Sequence, residues 1–519
     1  MNYPILDVCN LSVDFQTENE IVRAVKEVSF SLLAGETLAI VGESGSGKSV
    51  TSLATMGLLP NSAIVHGEIF FHHSQPSNKV VNLLTLSPQE RRAYRGGVIS
   101  MIFQEPMTSL NPVLTCGSQV VEAILLHSEV SREEAHKRAV DLFREVKLPD
   151  PEGMMNRYPH QLSGGQIQRV MIAMSLSGNP AILIADEPTT ALDVTIQATI
   201  LDLLKEIRDR RQMAILFITH DMGVVSEIAD RVVVMYRGRI VEIAPVYDLF
   251  ANPQHAYTRG LLSCRPTPQQ SLNRLPTVAD FMQVTTNTAG ETEVIPQPVS
   301  LIENNPRFAP VSVDERESHS RQLVQQQPLL SVQNLTKAFP VRQGFWGRQS
   351  EIRAVDQVSF DVYPGETLGL VGESGCGKST LSRLLLRLVE PTAGKVMFDG
   401  KSVLEMDAAH MRRLRREMQI VFQNPFGSMD VRQTIGSALV EPMVIHRIGN
   451  SSNERRQRAI TLLERVGLDA SAMERMPHEF SGGQRQRICI ARALVCQPRF
   501  IICDESVSAL DVSVQAQVL

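Results

Sequence analysis

Short apolar runs, each ending abruptly in glycine or acidic residues, set the pattern of this chain. Thr37-Leu38-Ala39-Ile40-Val41 runs straight into Gly42, and residues 50–59 behind the glycines can form a helix. Ala181-Ile182-Leu183-Ile184-Ala185 ends in Asp186-Glu187, and Phe500-Ile501-Ile502-Cys503 ends in Asp504-Glu505. Ala214 to Thr219 and Val232 to Tyr236 are further apolar runs of buried-strand length. Runs of four to six residues suit strands buried in a sheet, not helices. Ser131-Arg132-Glu133-Glu134 and Ser451-Ser452-Asn453-Glu454 have the spacing of a capping box at a helix start. Behind the first, Ala135, Val140, Leu142, Phe143 and Val146 fall on one helical face.

The pattern occurs twice. Val28-Ser29-Phe30 and Gly35-Glu36-Thr37-Leu38 return 330 positions later as Val358-Ser359-Phe360 and Gly365-Glu366-Thr367-Leu368. Ser163-Gly164-Gly165-Gln166 and Asp186-Glu187 return at an offset of 318 as Ser481-Gly482-Gly483-Gln484 and Asp504-Glu505. The first copy thus carries about twelve extra residues before its serine-glycine motif, expected in the polar stretch from His72 to Lys79. Two domains, 1–264 and 329–519, follow from the repeat. Residues 265–328, rich in Gln, Pro, Thr and Asn, read as a linker, with room for some local structure packed on the first domain.

Each copy carries a phosphate loop. Gly42-Glu43-Ser44-Gly45-Ser46-Gly47-Lys48-Ser49-Val50 and Gly372-Glu373-Ser374-Gly375-Cys376-Gly377-Lys378-Ser379-Thr380 fit GxxxxGK[ST] between a strand and a helix. Backbone N–H groups of such a loop and the helix dipole bind phosphate. Lys48 and Lys378 would reach the outer phosphates of ATP, and the Ser49 and Ser379 hydroxyls Mg²⁺. Asp186 and Asp504, at strand ends, are candidate Mg²⁺ carboxylates; Glu187 and Glu505 can polarise an attacking water.

Ser163 to Gln166 and Ser481 to Gln484, lying between phosphate loop and acidic strand, resemble the signature of ATP-binding cassette (ABC) ATPases. Gln104 and Gln423, in Phe-Gln contexts, resemble the glutamine loop, with a share in catalysis and in holding Mg²⁺. Ala191-Leu192-Asp193 and Ala509-Leu510-Asp511 resemble the loop that crosses the cassette dimer, and His220 the switch histidine. Arg157-Tyr158-Pro159-His160-Gln161 and Asn252-Pro253-Gln254-His255-Ala256-Tyr257 are similar to importer ATPases for dipeptides, oligopeptides, nickel and glutathione, closest to the fused glutathione type. The resemblance implies an α/β fold of two tandem P-loop domains. Each would have a RecA-like core, an antiparallel β subdomain and a helical signature subdomain, with cassettes pairing within the chain around ATP. It also implies two integral-membrane permease subunits, a periplasmic or surface solute-binding protein, and a peripheral place on the cytoplasmic face of the inner membrane. Phe15, Phe339 and Trp346 are candidates for stacking on adenine.

Composition adds exclusions. A chain of 519 residues with 43% apolar and 21% charged residues and a net charge of −5 gives no reason, from charge alone, to expect a nucleic-acid or membrane-surface partner. No run approaches a membrane span, and no basic-then-apolar signal opens the chain. The seven cysteines form no CxxC pair; Cys264 stands alone, against an iron–sulfur cluster, and Cys489, Cys496 and Cys503 read as small buried hydrophobes. A tandem ATPase acting on ribosomes or DNA is the alternative, opposed by the Gln/Pro/Asn-rich linker and the missing CxxC pairs. The equivalent of His220 would fall near position 538, past Leu519, so the second domain is expected to be incomplete and its sheet short of strands.

Overall fold

A computed structural model describes residues 4–16, 21–73, 79–104, 109–190, 192–264, 272–286, 292–297, 305–342, 349–423, 426–507, 511 and 514–516. Ala191, Trp346, Ala509 and Leu510, all named above, lie outside that set. The chain divides into two compact units, the first built mainly from residues 1–266 and the second mainly from 309–510.

In the first unit, β1 (Pro4–Gln16), β2 (Ile21–Leu33), β4 (Ala63–His72) and β5 (Val80–Asn82) form an antiparallel sheet in the order β2-β1-β4-β5. The second sheet has the order β10-β9-β3-β8-β7-β6: β3 (Thr37–Val41), β6 (Ile99–Ile102), β7 (Ile182–Asp186), β8 (Ala214–Thr219), β9 (Arg231–Tyr236) and β10 (Arg239–Pro245). Only β10 runs antiparallel. Strands β3, β7 and β8 are buried along their whole length, which is why they read as unbroken apolar runs and not as alternation. Their order places the carboxyl ends of β3, β8 and β7 side by side, where ligands bind in open parallel sheets. Helix α1 (Lys48–Met56) follows β3, two residues ahead of the expected start.

Helices α2 (Cys116–His127), α3 (Arg132–Glu145) and α4 (Gly164–Leu176) make the helical subdomain, and α5 (Val194–Arg211) leads into β8. Ala135, Leu142, Phe143 and Val146 are buried in one core with α4, and Val140 packs against it, as the periodicity predicts; Ala139 joins them. The expected capping boxes form by halves. Ser131 accepts the Glu134 N–H at 3.2 Å, but the Glu134 carboxylate turns outward to Arg138. Glu454 instead accepts the Asn450 N–H at 2.7 Å.

Described parts of the linker form regular structure. Helix α6 (Ala256–Ser263) packs with Val278 and Met282 around Tyr257, and β11 (Met282–Thr286) pairs with β12 (Thr292–Pro296). In the second unit, α7 (Val313–Val324) buries no residue. A Ser312–Glu315 capping box and a Glu317–Arg321 pair hold it, so it has no apolar stripe to announce it.

The second unit repeats the antiparallel sheet with β13 (Leu330–Arg342), β14 (Gln349–Val362), β15 (Ala393–Phe398) and β16 (Lys401–Ser402) in the order β14-β13-β15-β16. The hairpin Ala63–Asn82 spans 20 residues against 10 for Ala393–Ser402, so most of the twelve-residue excess sits there. Helix α8 (Lys378–Leu385) follows the second phosphate loop. Then come α9 (Ala408–Glu417), β17 (Met418–Val421), α10 (Ile435–Ile445), α11 (Ser452–Arg465), α12 (Gly482–Leu494) and β18 (Phe500–Cys503). Strands β17 and β18 pair only with each other among the described residues. Residues 367–371, the counterpart of β3, join no sheet, and Leu368, Leu370 and Val371 are exposed. Cys503 is exposed, contrary to the reading as a buried hydrophobe, whereas Cys489 and Cys496 are buried.

Burial pushes the Cys116 thiol up to about 11 and that of Cys264 to about 12. Since only the thiolate reacts, a maleimide at neutral pH should modify Cys376 and Cys503 and leave Cys116 and Cys264 unmodified until the chain is denatured. Peptide mass mapping checks this; early labelling of Cys264 would contradict the packing around α6.

Candidate active site

The first phosphate loop is shaped by contacts only glycine permits. Gly47 has φ +100°, and a Cβ there would lie 2.7 Å from the Ala24 carbonyl oxygen; one on Gly42 would lie 2.2 Å from that of Met235. Gly47 caps α1 without a side chain, so the first-turn N–H groups of the helix are aimed into the loop. The Lys48 ammonium donates to the carbonyls of Gly42 at 2.7 Å and Glu43 at 2.9 Å, curling back over the loop. Burial depresses its pKa, opposed by the Glu187 carboxylate. Ser46 Oγ is buried without a partner, and Val50 is half-buried. The Glu43 N–H donates to the Tyr257 hydroxyl at 2.9 Å, tying α6 to the loop across 214 positions of sequence.

At the neighbouring strand ends, Ser49 Oγ donates to Asp186 Oδ1 at 3.0 Å. Burial pushes the Asp186 carboxyl up to about 6, against that hydrogen bond and with the Glu187 charge adding to the rise. Glu187 stands in the left-handed region at φ +48°, its N–H bound to the Ile218 carbonyl. Such a conformation costs a non-glycine residue on the order of 1 kcal/mol or more and persists where surroundings over-determine it. Its side chain is 7% exposed and fully engaged: Oε2 accepts from Gln104 Nε2 and Thr190 Oγ1, each at 3.0 Å, and Oε1 lies 3.0 Å from His220 Nδ1. Burial would raise the Glu187 pKa, but His220, Lys48 and Thr190 together lower it to about 2. Burial likewise works against charge on His220, and the Glu187 hydrogen bond and charge override it, raising the imidazole above its ordinary value.

The second copy repeats the contacts in a wetter setting. Lys378 Nζ donates to the carbonyls of Gly372 and Glu373 at 2.6 and 2.9 Å, and Ser379 Oγ to Asp504 Oδ1 at 3.0 Å. Gln423 Nε2 donates to Glu505, which stands at φ +49°. Cys376 Sγ is 4.0 Å from Lys378 Nζ. Glu505 is exposed and Lys378 half-buried, where Glu187 and Lys48 are buried.

Ser163 and Ser481 begin α4 and α12, and each motif closes on itself as a capping box: Gln166 Oε1 and Gln484 Oε1 accept the serine N–H at 3.0 Å, and the serine hydroxyls accept the glutamine N–H. Gly164 and Gly165 lie against Leu192 and Ile196, so bulk there would meet the start of α5. Among the described residues, no hydrogen bond joins Ser163 or Gln166 to Lys48, Asp186 or Glu187. Phe15 is half-buried against the β1–β4 core, and Phe339 is exposed under the Lys337 ammonium. Sequence reasoning had not given Thr190 or Tyr257 a role in this site.

Residues 25–190 and 355–508 match the ABC transporter family, and residues 241–289 match the oligopeptide/dipeptide transporter C-terminal region. The chain belongs to the ABC transporter family. Its α/β cassettes are those of an ABC transport ATPase, which binds and hydrolyses ATP. The chain is 47% identical over 518 residues to the glutathione import ATP-binding protein GsiA of Pectobacterium atrosepticum, covering 99% of this chain and 79% of that protein. The proteins of the same name from Salmonella typhimurium and Shigella sonnei are 48% identical over 523 and 517 residues, at the same coverage. Among solved structures, a dimeric post-hydrolysis ATP-binding cassette bound to ADP and Pi is 29% identical, with a TM-score of 0.41; it covers 46% of this chain and 98% of its own. No helix among the described residues of this ABC ATPase is long and apolar enough to cross a membrane.

The Glu187–His220 pair makes the stability of the first cassette pH-dependent. The depressed Glu187 contributes above its unfolded value of 4.5 and loses that contribution as pH falls toward about 2. The raised His220 contributes below its unfolded value of 6.5 and loses it as pH rises through the folded value. His220→Ala should therefore lower the melting temperature most between pH 4.5 and 6.5, with the difference shrinking above and below. Calorimetry across pH checks this; a pH-independent difference would mean that no ion pair forms.

Proposed function

We propose that the chain energises import of glutathione or a related short peptide, at the cytoplasmic face of the inner membrane, with two permease subunits and a solute-binding protein. The observation that carries this is the 47–48% identity to glutathione import ATP-binding proteins over 99% of the chain, joined to the oligopeptide/dipeptide match at residues 241–289.

Within each cassette the phosphate loop, with Lys48 or Lys378, binds the phosphates of ATP. Mg²⁺ fits the first cassette: Asp186 is a desolvated carboxyl pushed up to about 6 beside the Ser49 hydroxyl, an arrangement that gains from a cation. Ser49, Asp186 and Gln104 would hold it, with Ser379, Asp504 and Gln423 in the second cassette. When bound, Mg²⁺ neutralises charge on the β- and γ-phosphates. Glu187 accepts a proton from the attacking water, and His220 and Gln104 hold its carboxylate in place. A general base works best with a pKa near the operating pH. Glu187, at about 2 with both oxygens engaged, is therefore in a resting arrangement that must give up a partner before it can act.

Two measurements test this. Glu187→Gln should retain ATP binding while lowering turnover by roughly 10²–10⁴, and Glu505→Gln, altering a solvent-exposed carboxylate, should cost far less. In cells lacking their own copy, the wild-type gene with its permease should restore uptake of labelled glutathione, and Lys48→Ala should not. Glutathione uptake that is unchanged by Lys48→Ala would remove the import reading while leaving the ATPase assignment standing.

A further inference from the structure

The peptide group between Gly42 and Glu43 is held at both of its ends. Its carbonyl accepts the Lys48 ammonium at 2.7 Å, and its N–H donates to the Tyr257 hydroxyl at 2.9 Å. The two bonds share one rigid plane, so the tyrosine also fixes the direction of the carbonyl on which the lysine rests. A Glu43 N–H that lost this acceptor would turn toward another, and the Gly42 carbonyl would turn with it.

Tyr257 is placed by more contacts than the packing of a ring needs. It is fully buried, with its ring centroid 4.4 Å from that of Tyr236 and with Val278 and Met282 in the same core. Its own N–H donates to His255 Nδ1 at 3.1 Å. Glu242, on β10, accepts the Gln254 N–H at 2.8 Å, the His255 N–H at 3.0 Å and the Thr258 hydroxyl at 2.5 Å, which fixes the start of α6. Burial pushes the phenol well above its ordinary value, so it stays protonated. A phenylalanine would fill the same space. What the hydroxyl adds is the bond to the loop.

We propose that Tyr257 is a positioning residue for nucleotide binding at the first phosphate loop, its hydroxyl setting the Gly42–Glu43 peptide and, through it, the Lys48 ammonium. A loop already held in shape loses less freedom when phosphate arrives, which favours binding. Residues 252–264, which follow the last strand of the large sheet, thereby become part of the ATP site. The inference rests on the reading that Lys48 and its loop bind the phosphates of ATP, and it adds to that reading a residue 214 positions beyond Glu43.

Nucleotide titration of the full chain tests the proposal, in a Lys378→Ala background so that the first loop is read alone. The probe is the fluorescent analogue mant-ADP, which is not turned over. Tyr257→Phe should weaken its binding by roughly three- to tenfold, the net contribution of one hydrogen bond. Thr258→Val, which cuts the bond to Glu242 but leaves the Tyr257 hydroxyl, should lower the melting temperature with the affinity unchanged. Unchanged affinity in Tyr257→Phe would overturn the proposal. So would an equal loss in Thr258→Val, because α6 would then act through stability alone. In the unsubstituted chain the Glu43 N–H should exchange with solvent slowly, and exchange at the rate of an open loop would contradict the bond itself. Lys48→Ala separates the two readings. If it abolishes binding while Tyr257→Phe changes nothing, the loop assignment stands and the role of the tyrosine falls; if it leaves binding intact, both fall.

Discussion

A buried carboxylate can remain ionised only if its surroundings supply what water would have supplied. Glu187 meets that condition with His220 on one oxygen and Gln104 and Thr190 on the other, all at 3.0 Å. Each partner comes from a different element: His220 from the end of β8, Gln104 from beyond β6, Thr190 from the turn after β7. The adjacency of those strand ends is what brings them together. The left-handed backbone at Glu187 is tolerated for the same reason, since its N–H is fixed by the Ile218 carbonyl on β8. Phosphate loop, sheet order and acid cluster thus form one arrangement, and removing β8 would unmake it.

The second unit repeats the short-range contacts in a wetter setting. Lys378, Ser379 and Asp504 hold the same short-range contacts as Lys48, Ser49 and Asp186, because those arise within the loop and between it and one strand end. What changes is solvation. Among the described residues, 367–371 join no sheet, and Glu505 is exposed. Closely similar motifs in one chain therefore stand in different dielectric surroundings, where the same charges have different strengths.

Motifs closed within a few residues were legible in sequence: both phosphate loops, both acid pairs, the apolar strand cores, and the α3 face of Ala135, Leu142 and Phe143. Contacts across long spans were not. Nothing near Tyr257 announces that its hydroxyl anchors the Glu43 N–H, 214 positions away. Helix α7 was missed because it is polar on every face, and Cys503 was misjudged because apolar runs do not report whether a strand has neighbours on both sides. One signal was present and unread: Ser163 to Gln166 and Ser481 to Gln484 both have capping-box spacing, so the signature is also a helix start.

Titration of the His220 ring by NMR tests the central coupling most directly. The imidazole pKa should lie above its ordinary 6.5 in the nucleotide-free chain and fall when Glu187 is replaced by glutamine, because the carboxylate is what overrides the cost of burying the cation. A His220 pKa at or below 6.5 that is indifferent to Glu187→Gln would show that the two residues do not share a charge, and the account of the site built on that pair would fail.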